Sequence, residues 1–356
     1  MKPLTSRERM IRTYQRKEID RIPLIDTIWA GTHQRWIKEG LPQGMEWEDY
    51  FGFDKFIRIR PDNSPRFEAK ILEQTDRYVV ETTPWGQTWR NFRIPDSTPE
   101  TLSHYYNTPE KWEEAKARMY AYSDDRIPWD RLKNNYDKWR AEGRFLQLVV
   151  WFGFDVTHSR MVGTEEMLIA MYEDPDWVKD MFDTYLTTSL SLCQKILDAG
   201  YKFDGIIFFD DMGYKGSPFF SPDLYRELLQ PYHKRAVDWA HERGLYTELH
   251  SCGFIEPLLP DIVETGVEML NPLEVKAGMD PARLKALYGD KLAFHGGINA
   301  QIWDKHELVR AEMERIIPAM KEGGGYVFAS DHSIPNSVSL ETMKMISELA
   351  HKLGTY

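Results

Sequence analysis

The stretches 205–213, GIIFFDDMG, and 245–253, LYTELHSCG, have one layout: a short apolar run that ends in polar, chemically competent side chains and then a glycine. Such a run predicts a strand covered on both faces, with a site at its carboxyl end. The layout recurs in both directions. Ile22 to Ile28, Phe53 to Ile59 and Phe145 to Trp151 precede this pair; Val267 to Pro272, Leu292 to His295 and Tyr326 to Ser330 follow it. Helically spaced segments separate most of the runs, so the alternation predicts the α/β class and a (β/α)8 TIM barrel.

Helix punctuation supports the pattern. Asp174-Pro175 predicts a start for a helix reaching Gly200, with Trp177, Val178, Met181, Phe182, Tyr185 and Leu186 as its apolar stripe. Ser221-Pro222, Asp280-Pro281, and Asp304 with Glu307 predict three further starts, and Pro231 and Pro318 predict breaks or kinks. One segment departs from the alternation. Residues 61–108 contain RYVVETTPWGQTWRNF (77–92), which reads as a β-hairpin insertion after strand two, over the barrel mouth. The 109–142 region reads as a solvated helical face. A length of 356 residues allows two domains, but one barrel with an insertion uses residues 1–356 as a single unit.

Composition excludes several classes. Hydrophobic residues at 42% and charged residues at 28% are globular proportions, which excludes a disordered or collagen-like chain. The net charge of −11 removes any global electrostatic reason to bind nucleic acid or an anionic membrane. No apolar run has the length of a membrane span or a signal peptide, and two cysteines make no disulfide framework, so a cytoplasmic protein is expected.

Polar residues at the carboxyl ends of barrel strands face the site by construction. They are Asp26, Asp210, Asp211, His250, Cys252, Asn271, Glu274, His295, Asp331 and His332. His250 and Cys252, two apart on an extended chain, point the same way and offer an imidazole nitrogen and a sulfur, the donors zinc prefers. The alternative is a packed thiol beside a hydrogen-bonded histidine. His332 is the best third ligand by type and position, with Asp331 as its orienting acceptor or as a loop hydrogen-bond group. Of adjacent Asp210 and Asp211 only one looks into the mouth unless the strand has already turned. Cys193 reads as a core thiol, and His233 and His241 as surface residues. Trp29, Trp151, Phe152 and His295 are expected to line an aromatic substrate pocket.

The stretches SPDLYRELLQPYHKRAVDWAHERG (221–244), LHSCGFIEPLLPDIVETGVEMLNPLE (249–274), AGMDPARLKALYGDKLAFHGGIN (277–299) and GGGYVFASDHSIP (323–335) resemble the uroporphyrinogen decarboxylase superfamily. The resemblance is dense from about residue 203 to 340 and implies a (β/α)8 barrel. The true decarboxylase carries an RQAGR segment after strand one; here the stretch is IWAGTHQRW, with Arg35 alone, which disfavours a polyanionic porphyrinogen. The zinc- and corrinoid-dependent methyltransferase branch carries H-x-C-G after strand five, matched by His250, Cys252 and Gly253. Its third ligand is a cysteine where this chain has His332, and the decarboxylase has a histidine there without zinc.

The resemblance therefore implies a cobalamin (corrinoid)-dependent methyltransferase. Its methyl group would pass from a small methylated substrate, such as a methoxylated aromatic, to a corrinoid on a partner protein. Zinc, held by His250, Cys252 and His332 with Asp331, Glu274 or Asp211 as further donor, is the implied Lewis acid, and Asp210, Asp211 and His332 are the implied catalytic groups. The alternatives are a metal-free decarboxylase of another carboxylic acid and a non-catalytic tetrapyrrole-binding protein. A homodimer is compatible with the sequence.

Overall fold

The computed structural model describes residues 3–94 and 98–356. Its centre is a curled, seven-stranded parallel sheet with the order β1-β6-β7-β10-β11-β12-β13. Here β1 is Phe56–Ile59, β6 Phe145–Trp151, β7 Gly205–Phe209, β10 Tyr246–His250, β11 Met269–Asn271, β12 Ala293–His295 and β13 Tyr326–Val327. The intervening strands form two smaller antiparallel sheets. One is β2 (Ile71–Gln74), β3 (Tyr78–Thr82), β4 (Gln87–Phe92) and β5 (Glu100–His104); the other is the short pair β8 (Gly213–Tyr214) and β9 (Ser217–Pro218).

Seven of the eight expected strands are present in register. The exception is Ile22–Ile28, which makes isolated parallel bridges, Leu24 to Phe328 and Ile28 to Ile334, instead of a continuous ladder. Its other side is held by β1's approach: the Asp54 N–H donates to the Leu24 carbonyl, and the Leu24 N–H to the Asp54 carboxylate. Pro23 supplies no N–H on this segment, one physical reason for the broken ladder.

The apolar runs become strands because both faces are covered. The helix Pro175–Asp198, capped by the Asp174 carboxylate accepting the Trp177 N–H, buries Val178, Met181, Phe182, Tyr185, Leu186 and Cys193 in the core. Ser221 and Asp280 cap in the same way. The Asp304 start and a break at Pro318 need correction. Asp304 caps nothing: the helix begins at His306 with Lys305 before it and runs through Pro318 without ending. Pro231 does interrupt its helix as expected: the run Pro222–His241 is continuous, but the five residues Tyr225–Leu229 directly before Gln230-Pro231 widen to a π-helical turn.

Where a hairpin was expected, β3 and β4 pair from Tyr78 opposite Phe92 to Thr82 opposite Thr88, and β2 and β5 extend them to four strands. Residues 95–97 of that segment lie outside the described residues. The sheet packs beside the carboxyl end of β6: the Trp85 ring meets Trp151 edge-on at 5.4 Å, and the Gln87 amide donates to the Ser159 carbonyl. Among the described residues no helix is long and apolar enough to cross a membrane.

Candidate metal centre and cavity

The parallel register levels the strand ends. Trp151 lies opposite Phe209, Phe209 opposite His250, and His250 opposite Asn271. Polar side chains at these ends consequently converge around a cavity of about 460 Å3 lined by residues that include Asp26, Arg58, Asp211, His250, Cys252 and His332. A second hollow, about 510 Å3, shares Asp211 and Cys252 and adds Asp155, His158, Glu274 and Lys276.

Where the two cavities meet, Asp211, His250 and Cys252 place a carboxylate oxygen, a ring nitrogen and a sulfur all within 4.8 Å of one another. The His250 Nε2 is 3.5 Å from the Cys252 sulfur and 3.6 Å from the Asp211 Oδ1. The other ring nitrogen is committed. Asn271 donates its amide nitrogen to the His295 carbonyl, which leaves its Oδ1 to accept from His250 Nδ1 at 2.6 Å. This fixes the tautomer with the Nε2 lone pair turned to the sulfur and the carboxylate.

Glycines bring the two loops together. The Gly213 N–H donates to the Cys252 carbonyl and the Phe254 N–H to the Tyr214 carbonyl, which ties the loop after β7 to the loop after β10. A Cβ on Gly253 would lie 2.2 Å from the Gly213 backbone, and φ at Gly253 is +83°, so both space and conformation require glycine there.

The donor chemistry fits a divalent cation. Burial pushes the Cys252 thiol well above its ordinary range, and the Asp211, Glu274 and Asp155 carboxylates push it further. Asp155, buried next to Asp211, is likewise pushed up. Arg160 partly offsets the Asp155 charge and Lys276 pairs with Glu274, whereas Asp211 and the Cys252 thiol face one another across the His250 ring, an arrangement that a bound metal relieves; sulfur, imidazole and carboxylate together suit zinc. Glu274 is occupied with the Gly253 N–H and an ion pair to Lys276.

The predicted site residues separate. Asp211 lines both cavities, whereas Asp210 points the other way and is fully buried. Its Oδ1 accepts the Asp155 N–H and its Oδ2 is 3.1 Å from His233 Nε2, whose Nδ1 meets the Tyr225 hydroxyl. His233 is thus a core residue and not the surface residue expected; His241 is exposed, as expected. His332 lines the first cavity and stacks on Trp29 with 6.0 Å between ring centroids, but it stands outside the three-residue cluster. Asp331 accepts the Ala300 and Lys276 backbone N–H groups, which makes it a loop anchor.

Of the expected aromatic lining, none of Trp29, Trp151 and Phe152 borders either cavity. Phe152 follows the strand end and packs inward on Phe208 and His233. Trp151 is bonded through its indole N–H to Asp155 and covered by Arg60 and Arg160. The aromatic walls are instead Phe56 and Phe209, the latter 4.4 Å from the His250 ring. His295 does border the cavity, held by Glu248 at 2.8 Å.

Arg58 was missed by the sequence reading. The two-residue alternation of β1 turns Phe56 and Arg58 toward the cavity and buries Ile57 and Ile59 on the other side, a period-two signal already present in FIRIR.

A parallel α/β fold with its polar strand ends gathered on one cavity is the frame of many barrel enzymes. Residues 156–353 match the model of the uroporphyrinogen decarboxylase (URO-D) family, and the chain belongs to that family. A solved methyltransferase from Methanosarcina mazei shares the fold: it is 17% identical, with a TM-score of 0.63 over 98% of this chain and 99% of that one. The ZgEngAGH5_4 structure in complex with a cellotriose overlaps weakly, at 14% identity and a TM-score of 0.38 over 63% of this chain and 78% of that one. No curated protein matches the chain.

Proposed function

We propose that the chain is a corrinoid-dependent methyltransferase that takes a methyl group from a small methylated donor, in the class of methoxylated aromatics, and passes it to a corrinoid on a separate protein. The observation that carries this reading is the convergence of Asp211, His250 and Cys252 beside a cavity large enough for a small organic donor. In this reading Asp211 takes the third ligand place that His332 was expected to fill. A zinc ion bound there supplies Lewis acidity to the leaving heteroatom.

The chain's own residues do the rest. Asn271 holds the His250 tautomer, and Gly253 with Gly213 holds Cys252 against Asp211. Phe56 and Phe209 exclude water from the donor's ring. His332 lines the cavity as the neutral imidazole that burial favours, and in this reading it relays a proton to the leaving oxygen, accepting one from solvent at its other ring nitrogen. Asp210 has a supporting place behind the site. The segment Ile22–Ile28, bridged on both sides, is read as the eighth member closing a (β/α)8 barrel, with the four-stranded sheet covering its mouth and residues 1–356 acting as one domain.

The test is metal content together with methyl transfer from a panel of methyl ethers, methylamines and thioethers to free cobalt(I) cobalamin, followed by the cobalt absorption change. About one zinc per chain and transfer from at least one donor are expected. A chain that takes up no zinc, with a Cys252→Ser variant as active as the wild type, would sink the reading.

A further inference from the structure

Arg58 lies on the inward face of β1 and lines the first cavity. Its Nε donates to Gln147 Oε1 at 3.1 Å, and among the described residues neither Nη nitrogen has a hydrogen bond or a carboxylate within ion-pair distance. The nearby Glu248 carboxylate is already engaged, accepting from Gln147 at 2.6 Å and contacting His295 at 2.8 Å. Phe56 and Phe209 flank the guanidinium, with ring centroids 4.8 and 5.7 Å from its central carbon. Burial lowers the Arg58 pKa, which expresses the same deficit: a cation withdrawn from water with its outer fork unpaired.

Two parallel N–H donors match the two oxygens of one carboxylate. The Phe209 ring neighbours both the fork and the metal cluster, its centroid 5.7 Å from the Arg58 guanidinium carbon and 4.4 Å from the His250 ring. A planar molecule lying along Phe209 would have one end at Arg58 and the other at Asp211, His250 and Cys252. The other titratable groups on this cavity include Asp211 and Asp331, whose carboxylates oppose a second negative charge on the ligand.

We propose that Arg58 is a specificity-determining residue, and that the methyl donor is a monocarboxylic acid whose carboxylate seats on the Arg58 fork while its methylated heteroatom reaches the cluster. This rests on the methyl-transfer reading only for the identity of the reacting end. The ligand class is that of a methoxybenzoate.

The experiment is calorimetric binding, without turnover, of 4-methoxybenzoate and its uncharged counterpart 4-methoxytoluene to the full chain. Wild type, Arg58→Gln and Arg58→Lys are compared, each checked for folding by circular dichroism. Wild type should prefer the acid by roughly 10- to 100-fold. Arg58→Gln should lose that preference while binding 4-methoxytoluene as before, and Arg58→Lys should keep part of it, since a point charge lacks the fork. Equal wild-type affinities, an unchanged preference in Arg58→Gln, or no binding of either probe at millimolar concentration overturns the proposal. Failure of methyl transfer leaves this measurement intact, whereas transfer from uncharged ethers with no loss in Arg58→Gln removes the Arg58 assignment alone.

Discussion

Gly213 and Gly253 are in direct backbone contact, and this contact places Asp211 next to Cys252. Gly253→Ala puts a Cβ where the Gly213 backbone lies and forces a left-handed φ on alanine. The expected result is a loss of about 2 kcal/mol or more in unfolding free energy, together with a fall in zinc stoichiometry, read by urea titration and metal analysis. Gly216→Ala serves as the comparison. It too has positive φ, but its Cβ would meet nothing within 4 Å, so a smaller stability loss and unchanged metal content are expected.

Asn271 is expected to act on the metal through His250. Asn271→Ala removes the acceptor that holds Nδ1, so the ring no longer keeps Nε2 turned to the cluster. Zinc affinity should fall on the order of 10- to 100-fold, measured by competition with a chromophoric chelator. An affinity equal to wild type would remove Asn271 from the description of the site.

Asp210 and His233 should behave as structural residues. Asp210→Ala leaves His233 facing a buried gap, and His233→Ala leaves a fully buried carboxylate with its main partner gone. Each is expected to cost about 3–5 kcal/mol of stability, read from denaturant midpoints. Zinc content measured at low temperature, on the folded fraction, should stay at the wild-type level.

Asp26 predicts a pH dependence of stability. Burial raises its carboxyl to about 7, against hydrogen bonds from Ser330 and Thr27 that favour the charged form. The native state therefore holds a proton that the unfolded chain releases at the ordinary aspartate value of 3.8, so the unfolded state binds fewer protons and stability falls as pH rises through this window. Relative to Asp26→Asn, wild type should lose on the order of 2 kcal/mol between pH 5 and pH 8. Urea unfolding of both proteins at the two pH values checks this, and parallel curves would refute it.

Much of this protein is written in short-range pattern. The strand positions follow from β-branched runs such as GIIFF and FLQLVV, because burial on both faces demands apolar side chains on both. The pairing of His250 with Cys252 follows from the two-residue period of an extended chain, and the core place of Cys193 from the 3.6-residue period of its helix. What local pattern does not carry is the partner across the barrel. Which of Asp210 and Asp211 faces the cavity depends on where β7 turns, and Asp211 rather than His332 joins His250 and Cys252 because two glycine loops meet. His233 reads as a surface histidine among charged neighbours, and only the packing of its helix on β10 and on the helix Pro175–Asp198 buries it against Asp210. Arg58 looks like one more charge in a basic stretch until the curl of the sheet turns it toward the cluster. Sequence by itself determined the elements and the chemistry available at their ends, since those depend on near neighbours along the chain. Tertiary structure alone decided which of those groups meet, since that depends on register and loop contact between strands far apart in sequence.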